Sequence, residues 1–406
     1  MKLAGAAAAA AAAIFGAWLV ACASDEDASP EESSPESRVP VLDGGVDADA
    51  SETDASDSGL PCTPERLCPF GAPFDPSTPG GAVDLRVRIM TIRGRSATDV
   101  WAVGAHGTAA HFDGTSWSRS DTGATESFST IWLRASGEIA LASFSAIYSR
   151  NVELDGPDGG APSTGNWLHV NAPVLPPELW PDTNTSGVVT SAWATPAAEW
   201  LWGTTLVDNL AVLDAPANGM WRARIAPGTR AIEIAAVFPA GTCQLIGCLQ
   251  MFDIHGSSPD ELWAVGNSGA TFRITGAQGD APTVTAFNSQ TLAGLEGVWA
   301  RSPTDAWAVG GAGTIRHYTG GAVSWDVVDG VPATEDLHAV WGTSSTDVWA
   351  VGDAATVLHY DGSTWSRVEV AGLGMRRPDL YTVWSPAPGH VWIGGDGVIL
   401  SLGGKP

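Results

Sequence analysis

Residues 337–370 read LHAVWGTSSTDVWAVGDAATVLHYDGSTWSRVEV. Four short runs rich in Val, Trp, Tyr and Thr, residues that favour extended backbone, alternate with polar turns. They are Leu337–Trp341 (strand a), Val348–Val351 (b), Thr356–Tyr360 (c) and Trp365–Val370 (d). Thr346-Asp347 marks the a–b turn. Asp361-Gly362 between c and d is a tight-hairpin signal, because Gly tolerates positive φ. One such unit cannot bury a core alone and needs neighbours.

The unit recurs along the chain. Trp-Ala-Val-Gly stands at Trp101–Gly104, Trp263–Gly266, Trp307–Gly310 and Trp349–Gly352, with the variant Trp392-Ile393-Gly394-Gly395. Eight residues before the Trp lies a second anchor, clearest in Leu295-x-x-Val298-Trp299, Leu337-x-x-Val340-Trp341 and Leu380-x-x-Val383-Trp384. The same frame fits Ile89-x-x-Ile92-Arg93, Phe128-x-x-Ile131-Trp132, Val189-x-x-Ala192-Trp193 and Met251-x-x-Ile254-His255. Successive copies are spaced 39, 61, 62, 44, 42 and 43 residues apart, so two carry insertions. A third anchor is Trp117, Trp167, Trp221, Trp325 and Trp365, placed on strand d. Of the 19 tryptophans, only Trp18, Trp180, Trp200 and Trp202 fall outside these positions. That periodicity makes the Trp excess a matter of packing rather than of fifteen separate binding choices.

Seven four-stranded units of roughly 42 residues predict an all-β fold, a seven-bladed β-propeller over residues 81–406. Closure into a ring removes exposed sheet edges. The seventh copy runs out after Val398–Leu402, its strand c. Val83–Arg88 is expected to supply the missing strand d. The pattern resembles exported bacterial propeller repeats of the sialidase Asp-box and WD-repeat type. Asp361-Gly362-Ser363-Thr364-Trp365 looks like an Asp-box with one residue fewer between Asp and Gly. The resemblance implies a fold and carries no function with it.

The N-terminus reads as an address. Met1-Lys2 and an Ala-rich apolar run through Val20 have the form of a secretory signal over residues 1–21. Leu19-Val20-Ala21-Cys22 resembles the lipobox of bacterial lipoproteins, which implies acylation of Cys22. Ala23 and Ser24 follow where an Asp would favour inner-membrane retention, so the outer membrane is the expected location. Residues 23–80 hold fourteen acidic residues against Arg38 and Arg66, with Ser, Pro, Gly and Ala between them. Such a stretch cannot bury enough apolar surface to fold, and 22–80 is expected to be a disordered acidic tether.

Chemistry is sparse. With 45 acidic and 20 basic residues, a net charge of −25 excludes the basic surface that nucleic acid requires. There is no phosphate loop, HExxH, Cys-x-x-Cys or nucleophile elbow, and no cofactor or metal is expected. His111, His317 and His359 share one position in strand c, which points to structure. The acidic series Asp99, Glu138, Glu199, Glu261, Asp305 and Asp347 lies two residues before the strand-b position that Trp101, Trp263, Trp307 and Trp349 occupy. It reads as side-chain-to-backbone turn stabilisation. A Ca²⁺-binding ring of carboxylates is the sharper alternative, opposed by the radial divergence of blades. Cys62, Cys68, Cys243 and Cys248 are candidate disulfide partners, with local pairing 62–68 and 243–248 the simplest of three.

The b–c and d–a connections share one face of such a ring, and the a–b and c–d turns share the other. Long d–a insertions are expected at 171–188 and 222–250, and a c–d bulge at 151–165. Arg93 and His255 replace strand-a tryptophans. With Trp180, Trp200 and Trp202 they form the candidate binding face. The expectation is a monomeric, membrane-anchored propeller that binds an envelope or extracellular protein or glycan without catalysis. A sialidase-like carbohydrate-active enzyme and a subunit of a secretion, adhesion or pilus assembly are the alternatives.

Overall fold

The computed structural model describes residues 61–63, 65–71, 73–75, 81–157, 160–179, 187–207 and 218–403. Cys22, the signal and most of the expected tether lie outside these residues. The described chain forms seven four-stranded antiparallel sheets, a seven-bladed β-propeller. Six blades run a to d in chain order. Blade 1 is Ile89–Ser96, Asp99–Gly104, Thr108–Phe112 and Trp117–Arg119. Blade 2 is Thr130–Leu133, Glu138–Leu141, Ile147–Arg150 and Trp167–His169. Blade 3 is Gly187–Trp193, Leu201–Val207, Met220–Ile225 and Ile232–Ala236. Blade 4 is Met251–Ser258, Glu261–Gly266, Ala270–Thr275 and Thr283–Asn288. Blade 5 is Leu295–Ser302, Asp305–Gly310, Thr314–Tyr318 and Asp326–Val327. Blade 6 is Leu337–Ser344, Asp347–Gly352, Val357–Tyr360 and Trp365–Arg367. Blade 7 is Leu380–Ala387, His390–Gly395 and Val398–Leu402, completed by Leu67–Pro69.

Leu67–Pro69 corrects two expectations at once. The closing strand does come from the N-terminal side, but it is 67–69 and not 83–88. Leu67 pairs with Leu402 and Pro69 with Leu400. The structured unit therefore begins before residue 81. Residues 83–88 still border blade 7: Gly397 N–H donates to Val87 O at 2.9 Å, and Val83 and Val87 pack with Trp392 and Ile399. Leu67 and Cys68 are buried, whereas Val83–Arg88 alternates between buried and exposed positions without a continuous apolar face.

Blade 3 corrects a third. Trp221 lies on strand c, where it was expected on strand d, and its indole N–H donates to Thr204 O. The true strand d, Ile232–Ala236, lies inside the stretch 222–250 that was expected to be a loop. The insertion sits between strands b and c, so counting forward from Leu201 reached strand c first.

The core is distributed between blades. Seven apolar clusters occupy the seven interfaces, including one that joins blade 7 to blade 1 and closes the ring. Strand-a tryptophans lie over small residues of the next blade. A Cβ added to Gly342 would meet Trp299 Cη2 at 2.6 Å, and Gly94 and Gly256 stand in the same relation to Trp384 and Trp193.

The acidic series finds partners other than turn backbone. Asp99, Asp305 and Asp347 accept from His111, His317 and His359 at 2.9, 2.9 and 2.8 Å. Glu138 pairs with Arg150, Glu199 with Arg224 and Glu261 with Arg273. Six blades thus tie the start of strand b to strand c with an acid–base pair; His111 and His317 stack on Trp101 and Trp307, and His359 lies tilted against Trp349 with ring centroids 4.3 Å apart. The carboxylates do not converge on a common point. Among the described residues no group of three or more His, Cys, Asp or Glu could hold a metal ion.

Candidate functional site at the channel mouth

Every strand a borders a central channel, and six of them carry a β-bulge at the second residue of the repeat frame. The ladder register skips Met90, Thr190, Phe252, Glu296, His338 and Tyr381. A bulge bends its strand and re-aims a side chain. All six residues, with Ser129 at the equivalent position of blade 2, line one cavity of about 420 Å³. It opens where the strands a begin, on the face of the d–a connections. A second cavity of about 250 Å³, lined by Leu133, Trp193, Trp341 and Trp384, lies where strands a end. Arg93 lines both.

On one wall of the mouth three side chains stack. The Arg88 guanidinium lies 4.0 Å from the Tyr381 ring centroid, and the Tyr381 ring stacks on His338 at 5.0 Å. Arg88 is held by Asp396 at 3.0 Å. His338 bridges two carboxylates, Nδ1 to Glu296 at 2.5 Å and Nε2 to Asp353 at 2.6 Å. Burial alone would lower its pKa, but the bonds to Glu296 and Asp353 outweigh that and raise it to about 9. His338 is therefore an imidazolium at neutral pH, donating from both nitrogens. Burial pushes the Tyr381 hydroxyl up to about 12.

Deeper in the channel, Asp253 accepts from Ser191 Oγ at 2.6 Å and from the Val298 N–H at 2.9 Å. Burial raises its pKa against these bonds and the nearby Arg93 charge. His255 lies between Trp193 and Trp341, and its Nδ1 accepts the Ala300 N–H at 3.1 Å. Burial, aided by Arg93, holds it well below the ordinary histidine value, so it is neutral with its proton on Nε2. Arg93 itself is lowered by burial, with Asp253 opposing. Its guanidinium lies 5.0 Å from the Trp341 ring centroid.

The expected binding face does not form one surface. Arg93 and His255 meet in the channel. Trp202 is fully buried and donates to Ala277 O at 3.0 Å. Trp200 is buried between the guanidinium groups of Arg222 and Arg224, 4.2 and 4.4 Å from its ring centroid. Both pack the blade 3–4 interface and cannot present an aromatic surface to a ligand. Trp180 lies outside the described residues. Cys62–Cys68 and Cys243–Cys248 are disulfides, the second clipping the short helix Thr242–Ile246. None of Glu296, His338 and Tyr381 was singled out from the sequence. Their signal was present: one frame position holds Met, Ser, Thr, Phe, Glu, His and Tyr while its flanking anchors repeat.

Exposed apolar residues stand on connections between blades, on the same face as the mouth. Leu85 leads into blade 1, Val174 into blade 3, Leu245 into blade 4, Leu292 into blade 5 and Met375 into blade 7.

No known protein family's sequence profile matches the chain, and no curated protein matches it in sequence. Solved structures match it in fold. The structure of YCF48 bound to D1 peptide aligns at 14% identity and TM-score 0.54, covering 78% of this chain and 93% of that one. A streptogramin B lyase aligns at 15% identity and TM-score 0.54, covering 81% and 95%. Catalytically inactive H270A virginiamycin B lyase from Staphylococcus aureus aligns at 12% identity and TM-score 0.53, covering 79% and 95%. A peptide-bound propeller and a lyase on one fold show that the likeness carries architecture alone. The chain is a seven-bladed β-propeller similar in fold to both.

Proposed function

We propose that this protein is a lipid-anchored, non-catalytic binding propeller of a bacterial cell envelope that holds a partner protein at the channel mouth. The observation that carries this is the convergence of six bulged side chains on one cavity, on a face whose inter-blade connections also expose apolar residues. Loops held on a rigid scaffold and exposing apolar groups are common interaction surfaces. The non-catalytic reading is supported by His338, whose two nitrogens are both committed to carboxylates, and by His255, whose Nδ1 is committed to a backbone N–H. Neither has a free lone pair with which to act as a general base, since His338 donates from both nitrogens and His255 carries its proton on Nε2. The peptide-bound YCF48 structure supports a protein partner over a glycan. Anchoring rests on the lipobox-like Leu19–Cys22, and export is supported by the two disulfides.

The test is site-specific photocrosslinking in intact cells. A crosslinker at Leu292 or Met375 is expected to trap a discrete partner, and one at Val323, exposed in a c–d turn on the other face, is not. Equal yields from all three positions would sink the binding reading. In parallel, Cys22→Ala is expected to lose labelled palmitate and leave the membrane fraction. Retained label would refute the anchor.

A further inference from the structure

We propose that Arg93 is the seat of a carboxylate: the C-terminal carboxylate of a partner chain that enters the channel past His338. The inference rests on the binding reading above and names the chemistry that the site recognises.

The frame position of Arg93 is Trp132, Trp193, Trp299, Trp341 and Trp384 in five blades and His255 in another. Those side chains join neighbouring blades. Trp193, Trp299 and Trp384 cover Gly256, Gly342 and Gly94, Trp341 donates to Ser385 O, and His255 accepts from Ala300. Each receiving residue is small. The receiving position for Arg93 is Leu133, the one large side chain in that series. Arg93 is therefore not a packing substitute for Trp. It lines both cavities and stands where they meet.

Its charge is uncompensated. Nη1 donates to the Ile92 carbonyl at 2.8 Å, and Arg93 makes no ion pair among the described residues. Asp253, the nearby carboxylate, spends one oxygen on Ser191 and the other on Val298. Elsewhere on the same wall the charges are matched, Arg88 with Asp396 and His338 with Glu296 and Asp353. The half-buried guanidinium is thus left without a carboxylate partner among the described residues, at a place where an anion can reach it. Its planar fork, backed by an aromatic face, matches a carboxylate in bidentate geometry.

The exposed residues on the same face point to the carrier. Leu85, Val174, Leu245, Leu292 and Met375 would contact an apolar macromolecular surface, which a free anion lacks. A cavity of about 420 Å³ has room for a few residues of one chain. A chain end brings its carboxylate to Arg93 with chain on one side only, whereas an internal acidic side chain brings chain on both sides of it. The carboxylate is therefore assigned to a C-terminus.

The experiment offers the purified protein a pool of random hexapeptides, synthesised once as free acids and once as C-terminal amides, in equilibrium dialysis read by mass spectrometry. Free acids are expected to be retained roughly tenfold better, the value of one charge-assisted pair. Arg93→Gln is expected to erase the preference at an unchanged thermal midpoint, and Arg93→Lys to keep part of it. Acetate should compete for the unsubstituted protein and acetamide should not, which keeps the test open if a variant misfolds. Equal retention of acids and amides overturns the proposal. So does an acid preference that survives Arg93→Gln, retention that follows internal Asp or Glu, or binding of uronate oligosaccharides in place of peptides. If the pool fails while crosslinking at Leu292 persists, the carboxylate seat is wrong and the binding reading stands. If both fail, both fall.

Discussion

His338 shows how much one side chain's neighbours decide. Its sequence context, Leu337-His338-Ala339, says only that it lies on a strand. In the ring it meets Glu296 from blade 5, Asp353 from its own b–c turn and Tyr381 from blade 7. Folding raises its pKa from 6.5 to about 9, so the folded state binds the proton more tightly than the unfolded chain. The stabilisation it gives is complete below pH 6.5 and is lost as pH rises toward about 9. His338→Gln is expected to remove that part of the decline in urea stability between these values, an effect of a few kcal/mol at most. A variant with the same pH profile as the parent would contradict the assignment. At the same scale, the His111, His317 and His359 series and the acidic series were both legible as repeat positions. That they bond to each other was not, because register between strands b and c sets which residues face.

At the scale of the element, the b–c turns are the most constrained. In blades 1, 4, 5 and 6 the turn places two successive residues at positive φ: His106-Gly107, Ser268-Gly269, Ala312-Gly313 and Ala354-Ala355. Three blades put Gly second, and blade 6 puts Ala355 there with φ 58. An L-residue pays a steric cost in this region that Gly avoids. Ala355→Gly is therefore expected to stabilise the protein by about 0.5–1 kcal/mol, net of the entropy Gly adds to the unfolded chain. Chemical denaturation measures it, and a destabilised variant would show that the Ala355 methyl packs usefully. The strand boundaries of blade 6 were readable from LHAVW, WAVG and the Asp-Gly hairpin, since alternation and turn chemistry are local. Blade 3 was misread because its extra residues fall inside the b–c connection, and local signals do not count strands across an insertion.

For the whole molecule, closure is the decisive feature. Leu67–Pro69 covers the outer edge of Val398–Leu402, and Leu67 packs with Leu380, Val398 and Leu400. Without it, blade 7 exposes an unpaired edge and part of its core. A chain beginning at residue 81 is expected to lose on the order of 3–5 kcal/mol against one beginning at residue 61. Coincident urea midpoints for the two would show that 67–69 is dispensable. The ring also builds the candidate site. Residues roughly 42 positions apart in sequence become neighbours around one cavity, and no single blade contains enough of it to bind anything.

The sequence alone determined the number of blades, the strands within most of them and the use of tryptophan as packing, because period-two alternation and turn residues act over a few positions. The tertiary structure decided which strand closes the ring, that Trp200 and Trp202 are core, and that Arg93, Asp253, Glu296, His338 and Tyr381 share one channel. Those outcomes depend on the rotation from blade to blade and on the bulges that turn side chains inward, and both are set by packing between residues far apart in the chain.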